Sequence, residues 1–156
     1  MKLIITRHGE AGMAASDESR ELTERGRQDV AAMSGLLRNT GWRFTEVIAS
    51  PLVRTQQTAA IINEELNGPG VNTGRWLAPG IDAAACLDEI NARDPNDAMI
   101  WVFHAPDVSR MAATLLQLPD QAFYFSPGTM LALNMPVPRP EGRAMLIWKM
   151  QPELLA

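Results

Sequence analysis

Short apolar segments alternate with longer amphipathic segments along this chain. Residues 2–6 (KLIIT), 46–49 (EVIA) and 98–103 (AMIWVF) have the length and composition of strands that are buried on both faces. Residues 98–103 are the most apolar of the three, so this strand is predicted to be central in a sheet. Residues 73–77 are predicted to form a further short strand.

The end of the chain shows a different pattern. Two apolar segments, residues 129–135 and 144–150, flank the proline-rich stretch 136–142. A connection this short joins antiparallel strands more readily than parallel ones. We therefore expect the two segments to form an antiparallel edge of the sheet.

Four segments have the apolar periodicity of helices. Thr23 is predicted to cap a helix that ends near Arg38. Ser50 is predicted as the N-cap, and Pro51 as the first residue, of a second helix that ends near Leu66. Further helices are predicted over residues 81–92 and from Pro106 to about residue 118.

Strands that alternate with helices predict an α/β fold. We expect a three-layer sandwich with a mostly parallel central sheet, helices on both faces and an antiparallel edge. At 156 residues the chain is expected to form one domain, residues 1–156.

Composition excludes several function classes. The net charge of −4 argues against a general nucleic-acid-binding protein and against a protein that binds anionic membranes, since both need a basic face. No segment has about 18 consecutive apolar residues, and the first residues lack a signal-peptide pattern, so a cytoplasmic location is predicted. The single cysteine, Cys86, excludes an internal disulfide, and the two histidines lack a metal-binding spacing.

Histidine and arginine side chains occur where the predicted strands end. Arg7 and His8 follow the first strand, His104 follows the most apolar strand, and Arg54 lies in the first turn of the helix after residues 46–49. In an open parallel sheet, ligands bind beyond the carboxyl ends of the strands. We therefore expect these four residues to line one crevice.

These residue types suit phosphate chemistry. Guanidinium groups bind phosphate oxygens bidentately and keep their charge, and a neutral imidazole nitrogen can act as a nucleophile. We expect a backbone carbonyl in the loop of residues 9–12 to fix the tautomer of the nucleophilic histidine. The other histidine is expected to carry a positive charge near a phosphoryl group and to donate hydrogen bonds to it.

Four motifs follow one another in a characteristic order. They are RHGE at residues 7–10, LTxxG at 22–26, SPLxRTxQTA at 50–59 and HAP at 104–106. In this order they resemble the histidine phosphatase superfamily, which is also called phosphoglycerate mutase-like. The chain is similar to its small bacterial phosphohistidine phosphatases, which act on histidine-phosphotransfer domains. The segments LxP at 77–79 and WKMxP at 148–152 match that branch.

The resemblance implies a phosphoglycerate mutase-like fold and a covalent phosphohistidine intermediate on His8. Arg7, Arg54 and His104 would bind the phosphoryl group, and water would then release inorganic phosphate. The implied substrate is a phosphohistidine on a partner protein, such as a histidine-phosphotransfer domain in signal transduction. No metal and no organic cofactor is implied.

The chain departs from the family pattern at two positions. Phe103 stands where a small residue usually precedes the second histidine, so its ring is expected either to pack into the core or to narrow the site. Pro79 stands near the position of the general acid of the esterase and mutase branches. Asp82 and Glu10 are candidate acids, although Asp82 also fits a helix N-terminus and Glu10 a solvated loop.

A site without a strong general acid suits P–N bonds better than P–O bonds. An alkoxide leaving group needs a proton from the enzyme, whereas imidazole, with an unperturbed pKa of about 6.5, can take one from solvent. Two alternatives stay open. One is a small-molecule phosphomonoesterase with Asp82 or Glu10 as the acid, and the other is a catalytically weak module that binds phosphate or phosphoproteins.

Overall fold

The chain folds around a six-stranded sheet in a computed structural model that describes residues 1–136 and 144–155. The strands are β1 (Lys2–Arg7), β2 (Glu46–Ala49), β3 (Val71–Thr73), β4 (Ala98–Phe103), β5 (Met130–Asn134) and β6 (Met145–Met150). The helices are α1 (Glu24–Asn39), α2 (Val53–Leu66), α3 (Ala83–Asn91) and α4 (Asp107–Leu116), with 3-10 turns at Arg75–Leu77 and Pro152–Leu155.

The strand order is β3-β2-β4-β1-β5-β6. The pairs β1–β4, β2–β4 and β2–β3 are parallel, whereas β1–β5 and β5–β6 are antiparallel. This confirms the predicted mostly parallel sheet with an antiparallel edge. Residues 137–142 of the proline-rich stretch lie outside the described residues.

Helices cover both faces of the sheet, as predicted. Alternate side chains of the central strands point to opposite faces, so Ile4 packs with α1 and α2 while its neighbour Ile5 packs with α3 and α4. Every residue of β4 is buried, which agrees with its predicted central position.

The first helix begins as predicted and the second does not. The Thr23 hydroxyl accepts a hydrogen bond from the Gly26 N–H at 2.9 Å and caps α1. The prediction for the start of α2 was wrong by two residues, since the helix begins at Val53 with Leu52 as its N-cap. The Ser50 hydroxyl accepts from the N–H of Leu52, which precedes the helix, at 3.5 Å and is also hydrogen-bonded to the ring of His104.

The strand predicted over residues 73–77 is also corrected. The strand lies earlier, at Val71–Thr73, where it pairs with β2 in the register Val47↔Val71. The chain then turns, which brings the Trp76 ring 4.6 Å from the Trp101 ring, centroid to centroid, in an edge-on contact. This contact explains why residues 75–77 leave the sheet and form a 3-10 turn.

Candidate active site

The register of the sheet brings the two histidines together. Arg7 of β1 pairs with Phe103 of β4, so His8 and His104, the next residue on each strand, leave the sheet side by side. The His8 N–H donates to the Phe103 carbonyl at 3.1 Å, and the two imidazole centroids are 5.4 Å apart. Both predicted site histidines therefore lie in one crevice at the carboxyl ends of the strands.

Two hydrogen bonds define the state of the His8 ring. Nδ1 lies 2.7 Å from the carbonyl oxygen of Gly9, and Arg54 Nε donates to Nε2 at 3.3 Å. Both bonds require a proton on Nδ1 and a lone pair on Nε2. The backbone carbonyl that the sequence suggests for the loop of residues 9–12 is thus that of Gly9, whose own N–H donates to the Thr58 hydroxyl.

The LTxxG motif at residues 22–26 is in direct contact with the backbone of this loop. Gly26 lies in the first turn of α1, and a Cβ at this position would overlap the carbonyl oxygen of Glu10. The Thr23 N–H donates to the same oxygen at 2.9 Å. The glycine is therefore needed because the helix start and the backbone after His8 and Gly9 are in direct contact.

Arg54 is buried, and each of its three guanidinium nitrogens donates a hydrogen bond. Nη1 donates to the backbone oxygen of Asp17 at 2.7 Å, Nη2 to its carboxylate at 3.1 Å, and Nε to His8. Arg20 donates to the other Asp17 oxygen at 3.3 Å and to the Gly12 carbonyl at 2.8 Å. Sequence reasoning missed Asp17, because a lone acidic residue in a long loop carries no spacing signal.

His104 has one engaged nitrogen and one without a partner. The Ser50 hydroxyl lies 2.7 Å from Nε2, while Nδ1 is buried and makes no hydrogen bond within the described residues. Ser50 is a second site residue that the sequence analysis missed, since it assigned the hydroxyl to helix capping. The Ser50-Pro51 pair, which precedes the helix that carries Arg54, was the sequence signal that could have identified Ser50 as a site residue.

Arg7 is held by the loop before β5. Its Nη1 donates to the Phe125 carbonyl at 2.8 Å, and the Gly128 N–H donates to the carbonyls of Arg7 and His8. Its Nε is buried without a partner in the part of the chain that the structure describes. The structure thus brings Arg7, His8, Arg54 and His104 together, and two buried polar atoms among them, Arg7 Nε and His104 Nδ1, make no hydrogen bond to residues 1–136 or 144–155.

Both histidines are neutral near pH 7 when no anion is bound. Burial, opposed in part by the Gly9 hydrogen bond, lowers the pKa of His8 to about 3, and the neighbouring His104, Arg54 and Arg7 add to this lowering. Burial and Arg54 lower the pKa of His104 to about 4. The charged His104 of the sequence analysis therefore requires a nearby anion, whose charge would raise that pKa.

The two candidate acids are engaged elsewhere. Asp82 accepts from the Ala84 N–H at 2.9 Å and caps α3, and Glu10 accepts from the Thr23 hydroxyl at 2.8 Å. Within residues 1–136 and 144–155, no carboxylate is hydrogen-bonded to either histidine. Phe103 is fully buried and packs into the core, which is the first of the two placements expected from the sequence, the other being a ring that narrows the site.

Two features are absent from residues 1–136 and 144–155. No group of three or more His, Cys, Asp or Glu side chains among them is arranged to hold a metal ion. Over the same ranges, none of the helices combines the length and the apolarity that a membrane crossing requires.

Comparison with known proteins gives consistent matches. The model of the histidine phosphatase superfamily (branch 1) matches residues 3–76, which include Arg7, His8 and Arg54. The protein histidine phosphatase SixA, solved in complex with tungstate, aligns over 100% of both chains with a TM-score of 0.91 and 25% identity. This match confirms the expected phosphoglycerate mutase-like fold.

Relatives also match at the level of sequence, two of them with the following identity and coverage. An uncharacterised protein of Picosynechococcus sp. is 30% identical over 120 residues, which are 74% of this chain and 73% of that protein. The mitochondrial serine/threonine-protein phosphatase Pgam5 of Drosophila willistoni is 39% identical over 66 residues. Those residues are 42% of this chain and 23% of Pgam5.

Proposed function

Since this chain belongs to the histidine phosphatase superfamily, whose members include phosphatases, we propose that it removes the phosphoryl group from a phosphohistidine on a partner protein. The observation that carries the proposal is the composition of the crevice. It holds a neutral histidine whose Nε2 carries a lone pair, a second histidine and two arginines, and no carboxylate in the described residues is hydrogen-bonded to either histidine.

In the first step, Nε2 of His8 attacks the phosphorus atom. Solvent protonates the other ring nitrogen of the substrate imidazole, the P–N bond breaks, and its electron pair stays on the departing nitrogen, so a neutral imidazole leaves. Arg7 and Arg54 neutralise the charge on the phosphoryl oxygens, and His104 offers a further hydrogen bond to them. The Gly9 carbonyl accepts from Nδ1 and stabilises the positive charge that His8 gains in the transition state.

In the second step, water attacks the phosphorus atom of phosphorylated His8. The bond between phosphorus and Nε2 breaks, inorganic phosphate leaves, and the His8 ring returns to its neutral state. The leaving group is again an imidazole, so the second step needs no stronger acid than the first. The same groups therefore serve both steps.

The nature of the leaving group favours a phosphohistidine over an alkyl phosphate. The conjugate acid of an imidazole leaving group has a pKa of about 6.5, so imidazole leaves readily near neutral pH. A serine or sugar alkoxide, by contrast, must receive a proton as the bond breaks. Asp82 caps α3 and Glu10 binds Thr23, so neither donates to a group held between the histidines in this arrangement.

The names of the similar proteins favour a protein substrate. SixA, the structural match with a TM-score of 0.91, is a protein histidine phosphatase, and Pgam5 is a serine/threonine-protein phosphatase. Tungstate, which is bound in the SixA structure, is a tetrahedral oxyanion like phosphate. In this chain two buried nitrogens of the site, Arg7 Nε and His104 Nδ1, make no hydrogen bond within the described residues.

The test is phosphate release from a histidine-phosphotransfer domain that carries radiolabelled phosphohistidine. We expect release by the wild-type chain and release at the background rate by His8→Ala. After rapid quenching, the wild-type chain should carry an acid-labile, alkali-stable label that His8→Ala lacks. Glu18→Gln, which changes an exposed loop carboxylate, is the folding control.

A substrate panel decides between phosphohistidine and the small-molecule alternative. Alkyl phosphates, such as sugar phosphates and phosphoserine, require the acid, whereas an aryl phosphate with a good leaving group does not. We expect slow turnover of alkyl phosphates. Efficient turnover that Asp82→Asn or Glu10→Gln abolishes would contradict the proposal, and binding without any turnover would indicate a phosphate-binding module.

A further inference from the structure

The loop between β1 and α1 carries a carboxylate into the phosphate crevice. Ala11 and Leu22 pair across the base of this loop, and the Val53 N–H at the start of α2 donates to the Glu18 carbonyl at 3.2 Å. These contacts hold the tip of the loop against the Arg54 helix. Asp17, one residue before Glu18, is thereby placed on the guanidinium of Arg54.

Asp17 binds both terminal nitrogens of Arg54, an arginine expected to bind a phosphoryl group. Each of the three guanidinium nitrogens already donates to a protein acceptor, namely His8 Nε2, the Asp17 carbonyl and the Asp17 carboxylate. The Arg54 side chain is only 6% exposed, whereas that of Asp17 is 59% exposed. Arg7 differs, because its buried Nε has no partner within the described residues.

We propose that the Asp17 carboxylate competes with the phosphoryl group for Arg54 and thereby selects against free phosphate and small phosphate esters. A phosphoryl dianion must displace this carboxylate or bind beside it, and both are unfavourable because the two groups carry like charges. A small ester has only its phosphoryl group with which to offset this cost. A protein substrate makes additional contacts outside the crevice, so it can bind despite the competition.

The inference rests on the phosphatase function proposed for the same crevice and assigns Asp17 a role other than proton donation. Hydrogen bonds from Arg54 and Arg20 lower the pKa of the Asp17 carboxyl, so the group is ionised at neutral pH. Arg20 in turn is anchored on the Gly12 carbonyl, which keeps the carboxylate beside Arg54. Asp17 is thus a fixed negative charge that sets specificity.

The test measures binding of tungstate and of inorganic phosphate by calorimetry. Asp17→Asn removes the charge, keeps a side-chain oxygen for Arg54 and leaves the backbone acceptor unchanged. Glu18→Gln is the matched control, since it makes the same charge change one residue along the loop. We expect Asp17→Asn to bind tungstate about tenfold more tightly and Glu18→Gln to differ from wild type by less than about twofold, because exposed charges beyond direct contact are screened.

Kinetics supply a second readout. With a small aryl phosphate, Asp17→Asn should lower KM by a similar factor and leave kcat within about twofold, while KM for the phosphorylated protein should change less. Unchanged or weaker tungstate binding by Asp17→Asn would overturn the inference, and so would an equal gain in Glu18→Gln. Tungstate binding requires no turnover, so tighter binding together with no release from phosphohistidine would refute only the proposed function.

Discussion

The hydroxyl oxygen of Ser50 lies 2.7 Å from Nε2 of His104, although 54 residues separate the two in the chain. Both side chains are buried, and β2 and β4 are adjacent parallel strands, so the contact forms where both strands end. The bond fixes the orientation of the His104 ring and leaves its Nδ1 without a protein partner in the described residues. Ser50 is therefore a positioning residue for His104 in the proposed site.

Replacement of Ser50 by alanine should impair catalysis more than folding. We expect Ser50→Ala to lower kcat for phosphate release about tenfold, because the His104 ring loses its fixed orientation. The free energy of unfolding should fall by about 1 kcal/mol for the lost hydrogen bond. Phosphate-release kinetics and urea unfolding measure the two effects.

Ser34→Ala is the matched control for this change. Ser34 is also fully buried, and its hydroxyl donates to the Val30 carbonyl at 2.7 Å inside α1. This variant should lose similar stability at unchanged kcat. If the two variants reduced kcat equally, Ser50 would have only a structural role.

The fold was largely predictable because its signals are local. Short apolar runs at residues 2–6, 46–49 and 98–103 predicted three of the four strands that pair in parallel, within one residue at each end. The two boundaries that failed, at α2 and β3, were both set by tertiary contacts. Ser50 binds His104, and Trp76 packs on Trp101, and neither partner is near in sequence.

The core of the site was predictable for a topological reason. Arg7, His8, Arg54 and His104 follow strand ends, and a parallel sheet gathers those ends at one edge. Asp17 was not predictable, because it reaches Arg54 through a loop whose path depends on the Ala11–Leu22 bridge and on the contact between Glu18 and Val53. No hydrophobic periodicity in the sequence predicts the path of this loop.

In the structure Asp82 is the N-cap of α3, which is a structural role and not that of a general acid. Its carboxylate caps α3, so Asp82→Ala should lower the free energy of unfolding by about 1 kcal/mol. Phosphate release from phosphohistidine should stay within about twofold of wild type, because imidazole needs no enzymic acid. Asp82→Asn keeps a capping oxygen and should match wild type in both measurements. A large loss of kcat in either variant would identify Asp82 as the missing acid.

The buried histidines should make stability depend on pH. Their pKa values of about 3 and about 4 lie below the value of about 6.5 expected in the unfolded chain. The unfolded state therefore binds more protons between these limits, and stability is lost as pH falls through this window. From pH 7 to pH 5, each histidine should reduce the free energy of unfolding by about 2 kcal/mol.

Urea unfolding at the two pH values tests this dependence. His8→Gln and His104→Gln carry neutral side chains, so each should lose about 2 kcal/mol less than wild type between pH 7 and pH 5. Other titrating groups are common to all three proteins, so the difference reports the replaced histidine. Identical pH dependence in wild type and variants would show that the histidines titrate normally.

Two glycines in α1 should respond to alanine in opposite ways. Alanine is favoured over glycine inside a helix by about 1 kcal/mol, so both changes would be stabilising if only helix propensity mattered. At Gly26, however, the new Cβ would overlap the Glu10 carbonyl oxygen, which is backbone and cannot rotate away. We expect Gly26→Ala to lower the free energy of unfolding by about 2 kcal/mol and to reduce phosphate release, because the displaced segment begins two residues after His8.

Gly35→Ala supplies the control in the same helix. A Cβ at Gly35 would have as its nearest neighbour the end of the Arg38 side chain, at 3.9 Å. This variant should gain up to about 1 kcal/mol and release phosphate at the wild-type rate. Urea unfolding and the phosphohistidine assay on both variants check the pair. If Gly26→Ala were as stable and as active as Gly35→Ala, close contact between the start of α1 and the loop after His8 would not be needed for the site.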